Sequence, residues 1–539
     1  MLGKMMTYQL TIGAAIAHAE RYHASTEVLG IETDGTLTRS SWAAVGARAR
    51  RLGSALTKAG LKRGDRVATL AWNNLRHLEL YFGTSAAGFV CHTINPRLFS
   101  DQLQFILEDA ADRILFVDET FLPLLARLRD TLGVVERIVL MSPRSDKALA
   151  AFPGLEFYDE FLETGSADFD WPEIDETEIS SLCYTSGTTG KPKGVPYTHR
   201  STILHAMALL GADVVGLSAR ESVLTVVPMF HVNAWGIPYG AAMAGCRLVL
   251  PGPKLDGDSL LGLITSERVT FAAGVPTIWA GLLEALSRNP PRHLPLTRTI
   301  VGGAACPPSM IDSFRQRYGV EVIHGWGMTE TSPLGLVNQL KNSQMALPED
   351  ERHRIRHAQG RPPFGIELRL VGEDGAPVAE GVSTGGLQIR GHWVVDQYFN
   401  APHSALSDGW FDTGDIVRMD EEGFVTILDR SKDLIKSGGE WISSIDLENI
   451  ALAHPHVADA AAIGIPDEKW GERPLLIVKP TAGIEPDGDA ILNAFADKMA
   501  RWQIPDRVVF VDAIPRNATG KIVKTDLRSI YASTLHPAS

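Results

Sequence analysis

At 539 residues the chain is too long for one ordinary core, which sets an expectation of roughly two to four domains. With 45% hydrophobic and 21% charged residues the composition is that of a globular protein, and a formal net charge of −13 argues against a nucleic-acid or polybasic membrane-binding protein. The cysteines Cys91, Cys183, Cys246 and Cys306 lie far apart among apolar neighbours with no CxxC pair, so they suggest neither a zinc site nor a disulfide framework.

The first apolar piece, 12–17, is interrupted by His18, Glu20 and Arg21, and reads as an amphipathic helix, not a signal peptide. No run of 18 apolar residues follows, so the expected setting is the cytoplasm, without a transmembrane segment. Trp42, Val45, Ala49, Leu52 and Leu56 recur at steps of three and four, which lays an apolar stripe along a helix ending near Gly60. Short apolar runs at 66–70, 113–117, 137–141, 182–185, 247–250, 299–302 and 321–324 alternate with helical segments. That alternation predicts an α/β architecture of parallel sheets covered on both faces. From about residue 365 the texture changes to turn-bounded strands at 367–371, 386–390 and 424–428, a mainly β subdomain. The charged, aperiodic segment 342–356 reads as a surface excursion. A last unit begins at Asp429, with a helix at 445–453, strands at 460–465 and 475–479, and a helix at 490–501. The expected division is therefore 1–428 and 429–539.

Residues 184–194 read YTSGTTGKPKG, between a buried strand end and a helix expected at 199–210. Glycines 187, 190 and 194 let backbone N–H groups turn inward, the hydroxyls of Thr185, Ser186, Thr188 and Thr189 add donors, and Lys191 and Lys193 add charge. The stretch reads as a polyphosphate cradle, but not as the P-loop, because Pro192 stands where that pattern needs Ser or Thr. A flexible linker is the alternative. Residues 324–331, HGWGMTET, follow a strand and put Glu330 at its carboxyl end, where α/β sheets place ligands. A carboxylate beside phosphates calls for a bridging cation, so Glu330 is a candidate Mg²⁺ ligand, with Thr185 a second. Trp326 offers a flat face for a base, and 302–304 (GGA) ends another strand with small residues. Residues 410–415, WFDTGD, put Asp415 on a turn where it can accept ribose hydroxyls. The boundary 429–443, DRSKDLIKSGGEWIS, concentrates cations, glycines and Trp441, and 515–524, PRNATGKIVK, presents Lys521 on a loop.

In order and character these segments resemble the AMP-forming acyl-CoA synthetases of the adenylate-forming superfamily, over nearly the whole chain. The resemblance implies a large N-terminal domain of two α/β subdomains plus a β subdomain, and a small mobile α+β C-terminal domain hinged at Asp429. It implies ATP and CoA as co-substrates and Mg²⁺ as cofactor. Residues 185–193 (Thr185, Ser186, Gly187, Thr188, Thr189, Gly190, Lys191, Pro192, Lys193) then hold the phosphates, and Thr185 with Glu330 serve Mg²⁺. Gly303, Ala304, Gly325, Trp326 and Thr329 line the adenylate; Asp415 takes the ribose; Arg430, Lys432 and Lys436 sit near the nucleotide. Lys521 reaches the reacting carboxylate, and Gly438, Gly439, Glu440 and Trp441 form the CoA side once the small domain has turned. A homodimer is the candidate assembly.

For the acyl group, residues 228–235 read PMFHVNAW. The amino-acid-activating relatives carry Asp after the Phe; His231 stands there, which disfavours an amino acid substrate. Trp235 resembles the gate of an acyl tunnel, and His231, Val232, Asn233, Trp235 and Gly236 form the expected pocket. The stretches MLGKMM, AWNNLRHLELYFG, CHTINPRLF and GHWVVDQYF look most like bacterial 3-methylmercaptopropionate–CoA ligases, beside the medium- and long-chain fatty acyl-CoA ligases. The expected substrate is thus 3-methylmercaptopropionate, with a fatty acid as the alternative and a CoA-independent adenylating enzyme more remote.

Overall fold

A computed structural model describes residues 3–185, 191–378, 381, 383–438, 440–496, 498–516 and 521–531. Four sheets organise them. The first runs Glu156–Phe157, Arg137–Leu140, Ile114–Val117, Arg66–Leu70, Val90–Thr93, Ile179–Thr185 and Lys193–Thr198, parallel except for the last pair. The second runs Leu334–Val337, Glu321–Gly327, Arg298–Val301, Phe271–Gly274, Ser222–Thr225, Arg247–Leu250, Glu27–Ile31 and Leu37–Ser41, parallel inside and antiparallel at both ends.

Between these sheets the helices Ile12–Tyr22, Trp42–Lys58 and Leu75–Ala86 pack on one another. Ser41 caps the second of them by accepting from the Ala44 N–H, and Trp42, Val45, Ala49, Leu52 and Leu56 are fully buried, so the apolar stripe read from sequence is the core face. Each such large side chain contributes about 1.5–3 kcal/mol of burial. The Trp42 Nε1–H donates to the Cys246 carbonyl at 3.0 Å, which ties this helix to the second sheet.

The third sheet is antiparallel: Ile366–Val371, Ser383–Gly391, Trp410–Met419 and Leu406–Ser407 in order, with Val425–Arg430 also on Trp410–Met419. The fourth, C-terminal sheet centres on Val457–Asp467 and Gly471–Pro480 and is flanked by helices Ser444–Leu452, Gly488–Asn493 and Lys524–Tyr531. This is the expected α/β fold with a large N-terminal body and a smaller C-terminal unit. The four cysteines are buried and unpaired with one another.

The structure departs from the sequence reading in several places. The glycine-rich loop lies between two antiparallel strands, because 193–198 is itself a strand. Pro196 is tolerated there because the strand lies at the sheet edge and needs only one partner. The segment 342–356 is largely helical, as Asn342–Met345 and Glu349–His357. The second helix has no buried residue, but Glu349, Asp350 and Glu351 open it and Arg354, Arg356 and His357 close it, so charge complementing the helix dipole replaces apolar periodicity. The helix expected over 490–501 spans only Gly488–Asn493; Phe495 is the last fully buried anchor, and Trp502 is exposed. Finally, Glu27–Ile31 and Leu37–Ser41 extend the second sheet from the N-terminal side, unpredicted.

Candidate active site

The expected site residues 186–190 and Gly439 lie outside the described residues. Thr185 ends the strand Ile179–Thr185 opposite Lys193, and this strand packs against the single turn Thr329–Thr331 that carries Glu330. Glu330 is almost fully buried and accepts through Oε1 from the Tyr398 hydroxyl at 2.8 Å. The Lys193 amine sits 4.8 Å from the centre of the same Tyr398 ring, and Lys191 lies 4.9 Å from that of Phe105. Tyr398 therefore links the lysine flank of the loop to the carboxylate. Its phenol is pushed above its usual range by burial and by Glu330. The Tyr197 hydroxyl donates to the Thr329 carbonyl at 2.7 Å and holds the turn in place.

Gly325 and Trp326 occupy the strand Glu321–Gly327. The indole packs on Gly335, where a Cβ would lie 2.4 Å from the ring, and its N–H donates to Asp415 Oδ2 at 3.0 Å. Asp415 is in the strand Trp410–Met419, not on a turn; Gly414, with φ +70°, bends the chain just before it. Its Oδ1 pairs with Arg430 Nε at 2.9 Å, and Arg430 also donates to the Thr413 carbonyl at 2.8 Å. Burial raises the Asp415 pKa, while Arg430 and Lys521 oppose the rise.

Lys521 arrives from the C-terminal unit. It keeps solvent-accessible surface, yet the amine is hemmed in by protein. Burial lowers its pKa, with Arg430 and Lys432 adding to this and Asp415 and Glu330 opposing it. The amine thus feels both carboxylates of the large body. Burial also lowers the pKa of the exposed Lys432, with Arg430 contributing and Asp433 opposing. Across its hairpin Lys436 sits 4.8 Å from the Trp441 ring centre and 4.0 Å from Glu373. Glu440 and Trp441 are exposed on that hairpin. Gly438, at φ +62°, donates its N–H to the Trp470 carbonyl at 2.7 Å.

Residues 232–236 form a left-handed turn, with φ of 47° at Val232, 49° at Asn233 and Ala234, 56° at Trp235 and 71° at Gly236. Each non-glycine residue there costs roughly 1–2 kcal/mol. The Asn233 side chain offsets part of this, donating to Ser181 Oγ at 2.7 Å and accepting from Cys183 Sγ at 3.5 Å. The turn lays the Trp235 indole on the 302–303 backbone; a Cβ on Gly302 would be 3.3 Å from the ring, and one on Gly303 3.6 Å. Ala304 follows, exposed. Behind the turn a narrow cavity is lined by Thr93, Cys183, Tyr184, Phe230, His231 and Val232. Burial, with Lys521 and Arg97 adding, lowers the His231 pKa to about 4, so the imidazole is neutral. Sequence reasoning assigned no role to Arg97, Tyr197 or Tyr398. Arg97 and Tyr398 stand inside CHTINPRLF and GHWVVDQYF, stretches noted only for their resemblance.

A large α/β body whose glycine-rich hairpin and acidic turn are met by a lysine from a small C-terminal unit defines a nucleotide-activating enzyme of two parts. The chain belongs to the AMP-binding enzyme family: the model of that description matches residues 17–399, and the AMP-binding enzyme C-terminal domain matches 446–521. It is 57% identical to a 3-methylmercaptopropionyl-CoA ligase of Ruegeria lacuscaerulensis, over 99% of this chain and 100% of that protein. It is 54% identical to a medium-chain-fatty-acid–CoA ligase of Ectopseudomonas oleovorans, over 99% and 98%. Among solved structures, an anthranilate CoA ligase in complex with anthranoyl-AMP superposes with a TM-score of 0.87 at 25% identity, covering 98% of this chain and 99% of that one. The protein is an AMP-forming acyl-CoA synthetase, an acid–thiol ligase that uses ATP and CoA. No helix among the described residues is long and apolar enough to cross a membrane.

Proposed function

We propose that the enzyme converts 3-methylmercaptopropionate to its CoA thioester through an acyl-AMP intermediate. The observation that carries this reading is the 57% identity, over 99% of the chain, to a ligase named for that thioester. A second reading, a medium- or long-chain fatty acid, is favoured by the 54% identity to the medium-chain ligase. Steady-state kinetics with 3-methylmercaptopropionate, butyrate, octanoate and palmitate test the proposal. The expected result is the highest kcat/KM for the thioether acid; a maximum at octanoate or palmitate selects the second reading.

In the first half-reaction a carboxylate oxygen attacks the α-phosphorus of ATP and pyrophosphate leaves. In the second the CoA thiolate attacks the acyl carbonyl and AMP leaves. The acid is already ionised at neutral pH, so the first step needs charge stabilisation rather than a base. Lys521 supplies it at the α-phosphate and carboxylate, while residues 185–193 hold the β and γ phosphates. Glu330 and Thr185 offer hard oxygen donors that suit Mg²⁺, Glu330 through Oε2 because Tyr398 occupies Oε1. Bound there, Mg²⁺ would neutralise phosphate charge. Gly303, Ala304, Gly325, Trp326 and Thr329 line the adenylate, and Asp415, steadied by Trp326 and Arg430, accepts the ribose hydroxyls.

The boundary falls at 428/429, with Asp429 as hinge. Its buried carboxylate accepts from the Arg430 N–H at 2.8 Å and the Ser444 N–H at 2.7 Å, so it joins the third sheet to the first helix of the C-terminal unit. After the unit turns, 438–441 meets CoA. The working form is a cytoplasmic homodimer; a light-scattering mass of one chain overturns the dimer.

A further inference from the structure

Outside the nucleotide site, one side-chain cluster among the described residues has metal-ligating chemistry. Asp312 ends the short helix Pro308–Asp312, and His353 and His357 lie one turn apart on the same face of Glu349–His357. One ligand atom from each of the three falls within 4.8 Å of the others. His353 Nε2 pairs with Asp312 Oδ1, and the two imidazoles stand 4.2 Å apart, edge to face. His357 Nε2 is shielded from solvent and makes no close hydrogen bond among the described residues, lying 3.5 Å from the same Asp312 oxygen. That spacing is long for a hydrogen bond. It is close to the edge, about 3.3 Å, of a tetrahedron built on bonds of about 2.0–2.2 Å to zinc. The nearby guanidiniums of Arg315, Arg352 and Arg356 pair with Glu349, so they do not occupy the Asp312 carboxylate.

We propose that Asp312, His353 and His357 bind a divalent transition metal of the zinc class, with water completing a tetrahedron. Two imidazoles and one carboxylate select such an ion over Mg²⁺, which prefers an all-oxygen shell, so the site is distinct from the nucleotide cation. Its position argues for a structural clasp. Asn338 Nδ2 donates to the Ile355 and Ala358 carbonyls at 2.7 and 2.8 Å, fixing the end of the helix beside the second sheet. The metal would fasten that helix to Pro308–Asp312, bracing the strand that carries His324, Gly325 and Trp326.

The test is calorimetric titration of Zn²⁺ into the full chain after dialysis against a chelator, with thermal unfolding followed in parallel. One Zn²⁺ per chain is expected, with a rise in Tm that grows with its concentration. His353→Gln and His357→Gln should each weaken binding at least about tenfold, the low end of what even an outer-shell change costs, and abolish the Tm rise. Asp312→Asn, which preserves shape, should do the same, and retained ATP–pyrophosphate exchange in each variant shows that it folds. His454→Gln is the control, because His454 and His456 form another close pair, with rings 4.8 Å apart, and it should leave binding unchanged. No binding, equal affinity in the site variants, or loss only in the His454 variant overturns the proposal.

Discussion

Glu330 meets the Tyr398 phenol on one side and packs beside the strand of Thr185 on the other, and its role as a cation ligand is testable. Glu330→Gln keeps an oxygen for Tyr398 and removes the charge. Pyrophosphate release should fall at least about tenfold and recover in part at high Mg²⁺, with Tm nearly constant. An unchanged rate removes Glu330 from the cation site. Trp235 rests on glycine backbone, and Trp235→Ala should reorder the acids by chain length while the KM for ATP stays constant; a collapse of ATP binding would assign the indole to the nucleotide. His231 makes a pH-dependent contribution. Its folded pKa of about 4 lies below the unfolded value of 6.5, so the unfolded state binds the extra proton between them and stability is lost as pH falls through that window. At about 1.4 kcal/mol per unit the loss approaches about 3 kcal/mol at most. His231→Gln should therefore gain stability relative to the parent as pH drops from 6.5 to 4. Urea midpoints that track each other across that range would contradict this.

At the scale of elements, the left-handed turn 232–236 stores backbone strain that Asn233 helps to hold. Asn233→Ala removes the bonds to Ser181 and Cys183 and should destabilise the chain by about 1–3 kcal/mol. It should also blur acid preference; a purely thermal effect with selectivity intact would separate the turn from the pocket. Such a turn could not be read from HVNAW, because only Asn233 favours the left-handed region, while Val232, Ala234 and Trp235 resist it and are held there by tertiary packing. The same limit hid the strand 193–198, where Pro196 reads as a breaker unless the edge position is known. It also hid the dipole-matched helix 349–357, whose support is charge order rather than an apolar face. What was legible had a local cause: the stripe of Trp42 to Leu56, the buried runs of the parallel sheets, and the glycine–lysine loop. Glu330, Asp415 and Lys521 were legible as motif positions, but their convergence was legible only through the family resemblance, because it depends on how the C-terminal unit sits against the body.

That convergence defines the whole molecule. Lys521 faces Asp415 and Glu330, while Trp441 stands exposed on a hairpin of the same C-terminal unit. In the proposed mechanism the unit turns between half-reactions, so that Lys521 serves the first and the 438–441 hairpin the second. Gly438→Leu places a side chain at φ +62° with its Cβ 2.8 Å from the Trp470 ring, and should impair thioester formation while adenylation continues. Lys521→Ala is the direct test, with pyrophosphate exchange and thioester formation from supplied acyl-AMP and CoA measured separately. The expected result is a loss of about 10²–10³ in the first, equivalent to about 2.7–4 kcal/mol, with the second preserved. Equal loss in both half-reactions would contradict a lysine that acts only before the turn.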